Sequence, residues 1–422
     1  MSIVDSATLQ PNRLLNFALR ARRANMALVL VLALLVGMLV GGVLIIVTSP
    51  AILTSWSSFF SHPGATIALS GNTVWFAYEQ IFEGSLINFH SLRMLFDQPG
   101  KATVAASLAP LSATLAYATP LIVAGLGLAV GFRSSLFDIG GQGQVIAGGI
   151  LAGYVGFTVN LSPVLQVALE ILAAIAAGAL LAAFAGALKA YTGAHEVIVT
   201  MMSNYIMGLV LSYLLIQSFF ARPGTHNGIS KEVGANGRLP AFFSHLDTSL
   251  LVNFGFLFAL LAVVGVQWFF TRSKTGFELL MVGQNPEAAR TAGINSKRTT
   301  IITMALAGGL LGLAGMINLT GGDHLLTHNF GGSYGFDAIT VALLGRNKPW
   351  GVFFGALFFG AMYVGGCAMQ NYTPTNIQFS LAQVIQAVVV FCVATPALII
   401  EIFRLKDNGQ FGAATKSGGW AK

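Results

Sequence analysis

Long apolar runs separated by short polar segments dominate the chain. They lie at about residues 25–47, 103–131, 141–159, 163–189, 196–219, 250–271, 300–319, 332–345, 350–369 and 380–402. Each run is close to the roughly 17–25 residues that a helix needs to cross the hydrocarbon of a bilayer, or slightly shorter. The pattern therefore predicts an all-α membrane protein with about ten transmembrane helices.

Composition and charge support this class. The 422 residues are 55% apolar and only 9% charged, whereas about a quarter of a soluble domain is charged. The formal charge of +7 does not indicate a nucleic-acid partner, because the basic residues lie in short loops between apolar runs, next to membrane lipid. With both termini inside, the only basic residues on the outer side are Arg93, Lys101, Arg222, Lys231 and Arg238. The charge rule thus favours an N-in, C-in topology.

This topology divides the chain into segments. We expect residues 1–24 to be a cytoplasmic N-terminal segment and residues 403–422 to be a cytoplasmic tail. The transmembrane domain occupies 25–402, and its first run is too long for a signal-peptide core and lacks a cleavage site. Within it, 49–101 carries many aromatic residues and is predicted to lie on the extracytoplasmic surface, while 271–299 is a cytoplasmic loop.

An internal echo suggests two inverted halves of five helices each. The segments LFDIGGQGQVIAGG and GFDAITVALLGRN both open an apolar run with Phe-Asp, and both follow a glycine-rich span. Five runs precede Arg222 and five follow Leu250, so equivalent elements would face opposite ways. Interrupted helices at matching places in two halves are typical of a transport pathway near the membrane midplane.

The loop at 271–299 is predicted to form two short helices joined at Gly283 to Asn285. Pro286 suits the first position of the second helix, and Glu287 lies in the first turn, where a negative charge is favoured. The alternative interpretation is a basic loop that only sets topology.

Ionisable residues inside apolar runs are costly and therefore informative. Asp138 and Asp337 each stand at the start of a run, and we expect each carboxylate to cap the following helix. Glu170 is expected to hydrogen-bond a neighbouring helix. His324 and His328 are four residues apart but lack a sufficient set of further ligands, so no metal site is predicted.

Polar residues in the runs give a candidate translocation pathway. They are Gln142, Gln144, Ser203, Asn204, Tyr205, Asn318 and Thr320. Amides and hydroxyls with few charges suit a neutral, hydroxylated solute, although the same groups could merely bridge helices for about 0.6 kcal/mol each. The chain has no GxxxxGK[ST] nucleotide motif and no catalytic constellation, so we expect no enzymatic activity, and ATP could act only through another chain.

Four separated motifs resemble those of a known family. Glu287-Ala288-Ala289, followed after three residues by Gly293, resembles the EAA loop of ABC-transporter permeases. The four motifs resemble, in order, the permeases of branched-chain amino-acid, ribose and nucleoside ABC importers, closest to the nucleoside branch linked to basic membrane lipoproteins. They are LFDIGGQGQVIAGG, GAHEVIVTMMSNYI, VGQNPEAARTAGI and FDAITVALLGRNKPWGVFFGALFFG, within a match of about residues 75 to 402. The chain has Asp138 and Gln142 where the family usually has Asn and Glu.

The resemblance implies a permease subunit like those of type II ABC importers, in a bacterial plasma membrane. It implies a partner ATPase that holds ATP and Mg, a second homologous permease subunit forming a heterodimer, and an extracytoplasmic lipoprotein that delivers nucleosides. The permease itself would bind no cofactor. The residues implied to contact the ATPase are Pro286, Glu287, Ala288, Ala289, Arg290 and Gly293.

Three alternatives stay open at this point. A permease for ribose-like sugars differs only in substrate, and an ion-coupled secondary transporter would also explain inverted repeats and broken helices. A membrane-embedded enzyme is the third. The predicted coupling loop argues against the second, because an ion-driven carrier needs no ATPase-docking element.

Overall fold

The computed structural model describes residues 26–404, apart from Ser58, 98–103, 225–227, 244–246, Thr248 and 373–376. The predicted cytoplasmic segment at 1–24, and the predicted tail from residue 405 onwards, lie outside the described residues.

The described residues fold into α-helices, which confirms the predicted all-α class, and the longest connection without an α-helix is the segment 215–254. In chain order the helices are α1 (Met26–Thr48), α2 (Pro50–Ser57), α3 (Pro63–Ser85), α4 (Phe89–Asp97), α5 (Val104–Arg133), α6 (Gly141–Thr158), α7 (Pro163–Thr192), α8 (Glu196–Leu214), α9 (Gly255–Arg272), α10 (Lys274–Gln284), α11 (Pro286–Thr291), α12 (Ser296–Asn318), α13 (Tyr334–Leu344), α14 (Pro349–Tyr372), α15 (Phe379–Ala394) and α16 (Pro396–Ile402). A 3-10 turn lies at Ala235–Gly237, and a π-helical turn at Leu319–Asp323 continues α12.

Among the described residues, seven helices are long and apolar enough to cross a membrane: α1, α5, α7, α8, α9, α12 and α14. The other three of the ten predicted spans differ from expectation. The run at 141–159 forms α6, which is not among the seven. The run at 332–345 is helical only as α13, whose 11 residues extend about 16 Å, or half of the roughly 30 Å hydrocarbon. The last run is broken where α15 ends and α16 begins at Pro396.

The chain divides into two compact units, and α3 and α15 each cross the boundary. One unit comprises Met1–Val74 with Ser380–Lys422, and the other comprises Trp75–Phe379. In the described part of the first unit, α1 packs against α2 and α16. It also approaches α15 closely, because a Cβ added at Gly37 would lie 2.2 Å from Val389 Cγ2.

Helix α12 is the packing centre of the second unit and contacts α5, α6 and α7. A Cβ at Gly178 of α7 would lie 2.0 Å from the Gly308 carbonyl oxygen and 2.9 Å from Gly312 Cα. Small residues four apart allow this approach of two backbones. On another face, a Cβ at Gly127 of α5 would lie 2.7 Å from the Ala307 oxygen. The two glycine-rich spans of the echo therefore pack against each other.

Candidate functional site

The coupling segment, α10 and α11, follows its local sequence signals. The Asn285 side chain accepts hydrogen bonds from the backbone N–H groups of Glu287 and Ala288, both at 3.1 Å, and so caps α11. Pro286 occupies the first helical position, where its missing N–H costs nothing. The prediction of two short helices, with Pro286 opening the second, is confirmed.

Gly293 closes α11. Its φ of 83° lies in the left-handed region, and its N–H donates to the Arg290 oxygen at 3.0 Å. The next N–H, of Ile294, donates to the Ala289 oxygen at 3.0 Å. These two bonds form a Schellman motif, for which glycine is favoured. No other group lies within 4 Å of a Cβ added at Gly293, so its geometry is that of a helix terminus.

The two helices differ in exposure. Helix α10 buries Leu279 and Val282, which anchor it to the rest of the unit. In α11 only Ala289 is buried, while Glu287 and Arg290 are exposed. Helix α11 is thus narrow, charged and exposed, and the neighbouring helix α10 anchors it to the rest of the unit.

One close contact joins the coupling segment to the loop between α5 and α6. A Cβ added at Gly283 would lie 2.6 Å from the carbonyl oxygen of Arg133 and 2.6 Å from Ser134 Cα. The Ser135 hydroxyl donates to the Gly283 oxygen at 2.7 Å, across 148 positions of sequence. Because the neighbouring atoms are backbone, a displacement of α10 acts directly on this loop.

The same loop leads into a group of hydrogen-bonded residues that we call the polar corner: Asp138, Gln142, Gln144, Asn204 and Gly335. The buried Asp138 carboxylate accepts from the N–H of Gly140 and from Gln144 Nε2, both at 2.8 Å. Gly140 is the N-cap of α6, so Asp138 stands at the helix start, as expected, but bonds the cap residue.

Helix α8 supplies the next member of the corner. Asn204 Oδ1 accepts from the N–H of Gly143 in the first turn of α6 at 2.7 Å, and its Nδ2 donates to the Ile139 oxygen at 2.8 Å. The N–H of Ile139 in turn donates to the Thr200 hydroxyl at 3.2 Å. A side chain from one helix therefore satisfies an amide that α6 leaves free at its start.

The polar corner also joins the two Phe-Asp segments. Gln142 Oε1 accepts from the N–H of Gly335 at 2.9 Å, and a Cβ added at Gly335 would lie 2.2 Å from the backbone nitrogen of Gln142. The starts of α6 and α13 are thus in contact. Asp337 lies in the first turn of α13 and does not cap this helix, contrary to the prediction; it accepts from the hydroxyl of Ser333, the N-cap residue, at 2.5 Å. With the family pattern, a carboxylate at 142 could accept the same bond from Gly335, and an amide at 138 could accept from Gly140 and donate to Gln144 Oε1.

The other predicted pathway residues also have protein neighbours. The Ser203 hydroxyl donates to the Val199 oxygen at 3.0 Å, and the Thr320 hydroxyl to the Met316 oxygen at 2.9 Å. Tyr205 lies on the exposed face of α8, with 66% of its surface accessible. Contact of these residues with a transported solute stays a prediction.

Two further carboxylates are held by amides. Gln166 Nε2 donates to Glu170 Oε1 at 3.1 Å and to the Val155 oxygen of α6 at 3.2 Å. Glu170 is fully buried and bonds within its own helix, while Gln166 makes the bridge to the neighbouring helix. Asn318 Nδ2 donates to Asp323 Oδ2 at 2.9 Å in the π-helical turn.

The two histidines of the loop after that turn have different surroundings. His328 Nδ1 lies 3.2 Å from the Ser212 hydroxyl. Burial, and then the neighbouring positive charge of Arg238, lower the pKa of His324 below its ordinary value. His324 is therefore neutral at pH 7.

Sequence reasoning missed three tyrosines that the fold brings together. Tyr117 of α5 stacks on Tyr363 of α14 with ring centroids 3.9 Å apart, and it lies 5.1 Å from the ring of Tyr334 at the start of α13. We call these three the tyrosine cluster. Each stands alone in its own run, so no local pattern marks the group. The sequence signal that could have found the group is the Gly331-Gly332-Ser333 segment before Tyr334, which is non-helical in the structure.

Comparison with known proteins adds a family to this geometry. Residues 110–394 match the family described as branched-chain amino acid transport system / permease component. The chain is 31% identical to the nucleoside ABC transporter permease protein NupB of Lactococcus lactis, over 84% of this chain and 92% of that protein. It is 32% identical to the guanosine ABC transporter permease protein NupP of Bacillus subtilis, over 70% and 84%. It is 31% identical to the glucose ABC transporter permease protein TsgB13 of Haloferax volcanii, over 68% and 76%. No solved structure matches the chain significantly.

Proposed function

Because the chain belongs to the permease family of branched-chain amino acid transport systems, we propose that it is the transmembrane subunit of an ATP-driven nucleoside importer. It is an ABC transporter permease and a multi-pass plasma-membrane protein. The observation that carries the finer proposal is the exposed helix α11 on its anchored support, in backbone contact with the α5–α6 loop through Gly283. A helix of this kind suits a groove on a soluble partner and has a route for transmitting its movement.

We propose that this partner is an ATPase, which binds ATP and Mg itself. Ala288 leaves α11 narrow, and the charges of Glu287 and Arg290 are exposed and available for docking. The permease needs no cofactor of its own for this role. The remaining partners are a second, homologous permease subunit, as a heterodimer, and an extracytoplasmic lipoprotein that delivers the substrate on the side of residues 49–101. The exposed apolar residues of α8, such as Leu209 and Tyr213, are available to lipid or to the second permease.

The substrate proposal is a nucleoside. Two of the relatives are named as nucleoside or guanosine permeases, whereas a third is named as a glucose permease. The polar corner offers neutral amides, with Asp138 already bonded to protein donors, which fits an uncharged hydroxylated solute. A sugar such as ribose is the second candidate, supported by the relatives that are named as sugar permeases.

Uptake by the complex in proteoliposomes tests this choice. Labelled adenosine or uridine should enter only with ATP, the ATPase and the binding protein present, and excess unlabelled nucleoside should block entry. Free ribose or glucose should not compete. Inhibition by ribose without inhibition by nucleosides would replace the nucleoside assignment with a sugar. Uptake driven by an ion gradient without ATP would replace the importer class itself.

Substitution of Asp138 separates ATP-driven from ion-coupled transport. In Asp138→Asn, Oδ1 still accepts from Gly140, and the new amide can donate to Gln144 Oε1, which has no partner among the described residues. Uptake should stay within about threefold of wild type. Asp138→Leu strands buried donors at about 1–3 kcal/mol each and should lower uptake by more than about tenfold.

An ion-coupled carrier that used this buried carboxylate would behave differently. It would lose uptake on the Asn substitution as well, because the titratable or ion-binding group would be gone. Initial rates of labelled nucleoside uptake, normalised to the amount of inserted permease, distinguish the two outcomes.

We also propose that both termini and the coupling segment face the cytoplasm, and that the two halves are inverted repeats. The paired glycine-rich spans and the paired starts of α6 and α13 support this relation. After replacement of Cys367 and Cys392 by alanine, cysteines introduced at Asn227 and Ser296 should react with an impermeant thiol reagent from opposite sides. Reaction of both from one side would contradict the N-in, C-in arrangement.

A further inference from the structure

The tyrosine cluster lies within the membrane. Counted from the ends that carry Arg133, Leu344 and Pro349, the helical rise places Tyr117 at about 24 Å, Tyr334 at about 15 Å and Tyr363 at about 21 Å along their helices. For a hydrocarbon of roughly 30 Å, this range extends from the midplane into one half of the membrane. The cluster is thus inside the hydrocarbon, whereas tyrosines ordinarily anchor a membrane protein at its interfaces.

The backbone beside the cluster is accessible. Gly332 and Ser333 are exposed and non-helical, and they immediately precede Tyr334. Non-helical backbone at membrane depth is tolerated where it is buried in protein or lines a water-filled cavity. Because these residues are exposed in this chain, they are free to line such a cavity. The residue Tyr363 is also 38% accessible, and one face of its ring is covered by Tyr117 at a centroid distance of 3.9 Å.

The rings have further aromatic and acidic neighbours. Phe379 packs edge-on against Tyr363 with a centroid distance of 5.2 Å. Asp337 follows Tyr334 by three positions on α13, so the two side chains lie on the same face of that helix. The Asp337 carboxylate accepts from the Ser333 hydroxyl and has further acceptor sites. A stacked aromatic surface therefore stands beside a carboxylate acceptor.

This combination selects a ligand chemistry. A flat heteroaromatic ring stacks favourably on a tyrosine face whatever its hydrogen-bond pattern, because each base has a π-face. The ribose hydroxyls are donors that a carboxylate accepts. The same carboxylate repels a phosphate group. The arrangement therefore suits an uncharged nucleoside better than a nucleotide.

On the basis of the proposed function, we propose that the accessible face of Tyr363, backed by Tyr117 and flanked by Tyr334, is a transient stacking platform for the base of the transported nucleoside. Asp337 receives one of its sugar hydroxyls. The platform binds the base weakly, since it covers only one face of the base. It prefers purines over pyrimidines, because a larger ring overlaps more of the tyrosine surface.

The test uses the complete complex of permeases, ATPase and binding protein in proteoliposomes. Initial uptake of labelled adenosine and uridine is measured for wild type, Tyr363→Leu, Tyr363→Phe and the control Trp268→Leu, which removes an aromatic ring from the exposed face of α9. Tyr363→Leu should lower adenosine uptake by roughly tenfold and uridine uptake less, so that the purine-to-pyrimidine ratio falls. Tyr363→Phe keeps the ring and the ratio, and Trp268→Leu changes neither the uptake nor the ratio.

The ratio separates recognition from damage to the fold. If Tyr363→Leu lowers both uptakes by the same factor, or neither, Tyr363 does not stack the base and the inference is overturned. ATP hydrolysis without substrate, measured on the same preparations, confirms that each variant is assembled. If the wild-type complex transports no nucleoside at all, the proposed function fails, whereas wild-type uptake with an unchanged ratio removes the platform alone.

Discussion

Gly283→Ala is expected to lower nucleoside uptake by at least tenfold, although it adds a single methyl group. That methyl would lie 2.6 Å from the Arg133 oxygen and from Ser134 Cα, and 2.7 Å from the Ser134 carbonyl carbon. Overpacking of a filled site costs about 1–3 kcal/mol, and here the neighbours are backbone atoms that have no rotamers into which to move. The substitution pushes α10 away from the α5–α6 loop. It also disturbs the 2.7 Å bond from Ser135 to the Gly283 oxygen.

The readout is the ratio of substrate moved to ATP hydrolysed, measured on reconstituted complexes of equal permease content. We expect Gly283→Ala to keep its ATPase bound but to hydrolyse ATP with little uptake. The matched control is Gly208→Ala in α8, where no other group lies within 4 Å of the added Cβ. That variant should retain normal uptake and gain up to about 1 kcal/mol of helix stability. Normal coupling in Gly283→Ala would show that the contact transmits nothing.

The coupling segment was predictable because its signals are local. Asn285, Pro286 and Glu287 occupy the cap and first turn of one short helix, and each acts within three residues of itself. Gly293 closes the same helix through bonds to Arg290 and Ala289, by way of Ile294. Because nearby residues specify both ends of this helix, the sequence predicts it without knowledge of its tertiary neighbours.

The length of α13 was less accessible to sequence reasoning. Its apolar run begins at 332, but Gly331 and Gly332 have φ values of 77° and 43°, outside the range of a right-handed helix. Hydrophobicity alone counts such residues as part of a span, since glycine is neither clearly polar nor incompatible with helices. The accessible Gly332 and Ser333 that result are the ones that open the backbone beside the tyrosine cluster.

The polar corner and the tyrosine cluster escaped prediction for a different reason. Gln142 and Gly335 are 193 positions apart, and Asn204 bonds a helix start 61 positions away. The cost of polar residues in a membrane marks them in the sequence, but their partners depend on which helices become neighbours. The similarity of the two segments that open with Phe-Asp was the one long-range signal in the sequence, and the structure brings those two segments into contact.

Glu287→Arg is expected to abolish uptake while the permease still inserts and folds. Glu287 is exposed in the first turn of α11, so reversing its charge costs the helix only about 0.3–1 kcal/mol. At the proposed contact, the surface of the ATPase is complementary to the negative charge of Glu287. The substitution places a positive charge against that surface. Juxtaposed like charges cost several kcal/mol, and 1.4 kcal/mol is a tenfold change in affinity. The affinity for the ATPase should therefore fall by at least about tenfold.

Co-purification of the ATPase with the tagged permease measures this loss directly, and uptake measures its consequence. Glu287→Gln removes the charge without reversing it and should weaken both to an intermediate degree. The matched control is Glu401→Arg, an identical charge change at an exposed position of α16. It should leave ATPase binding intact, which separates a local contact from a general increase in positive charge. If Glu287→Arg recovers as much ATPase as wild type and transports at the same rate, α11 is not the docking helix, and the basic loop only sets the topology of the chain.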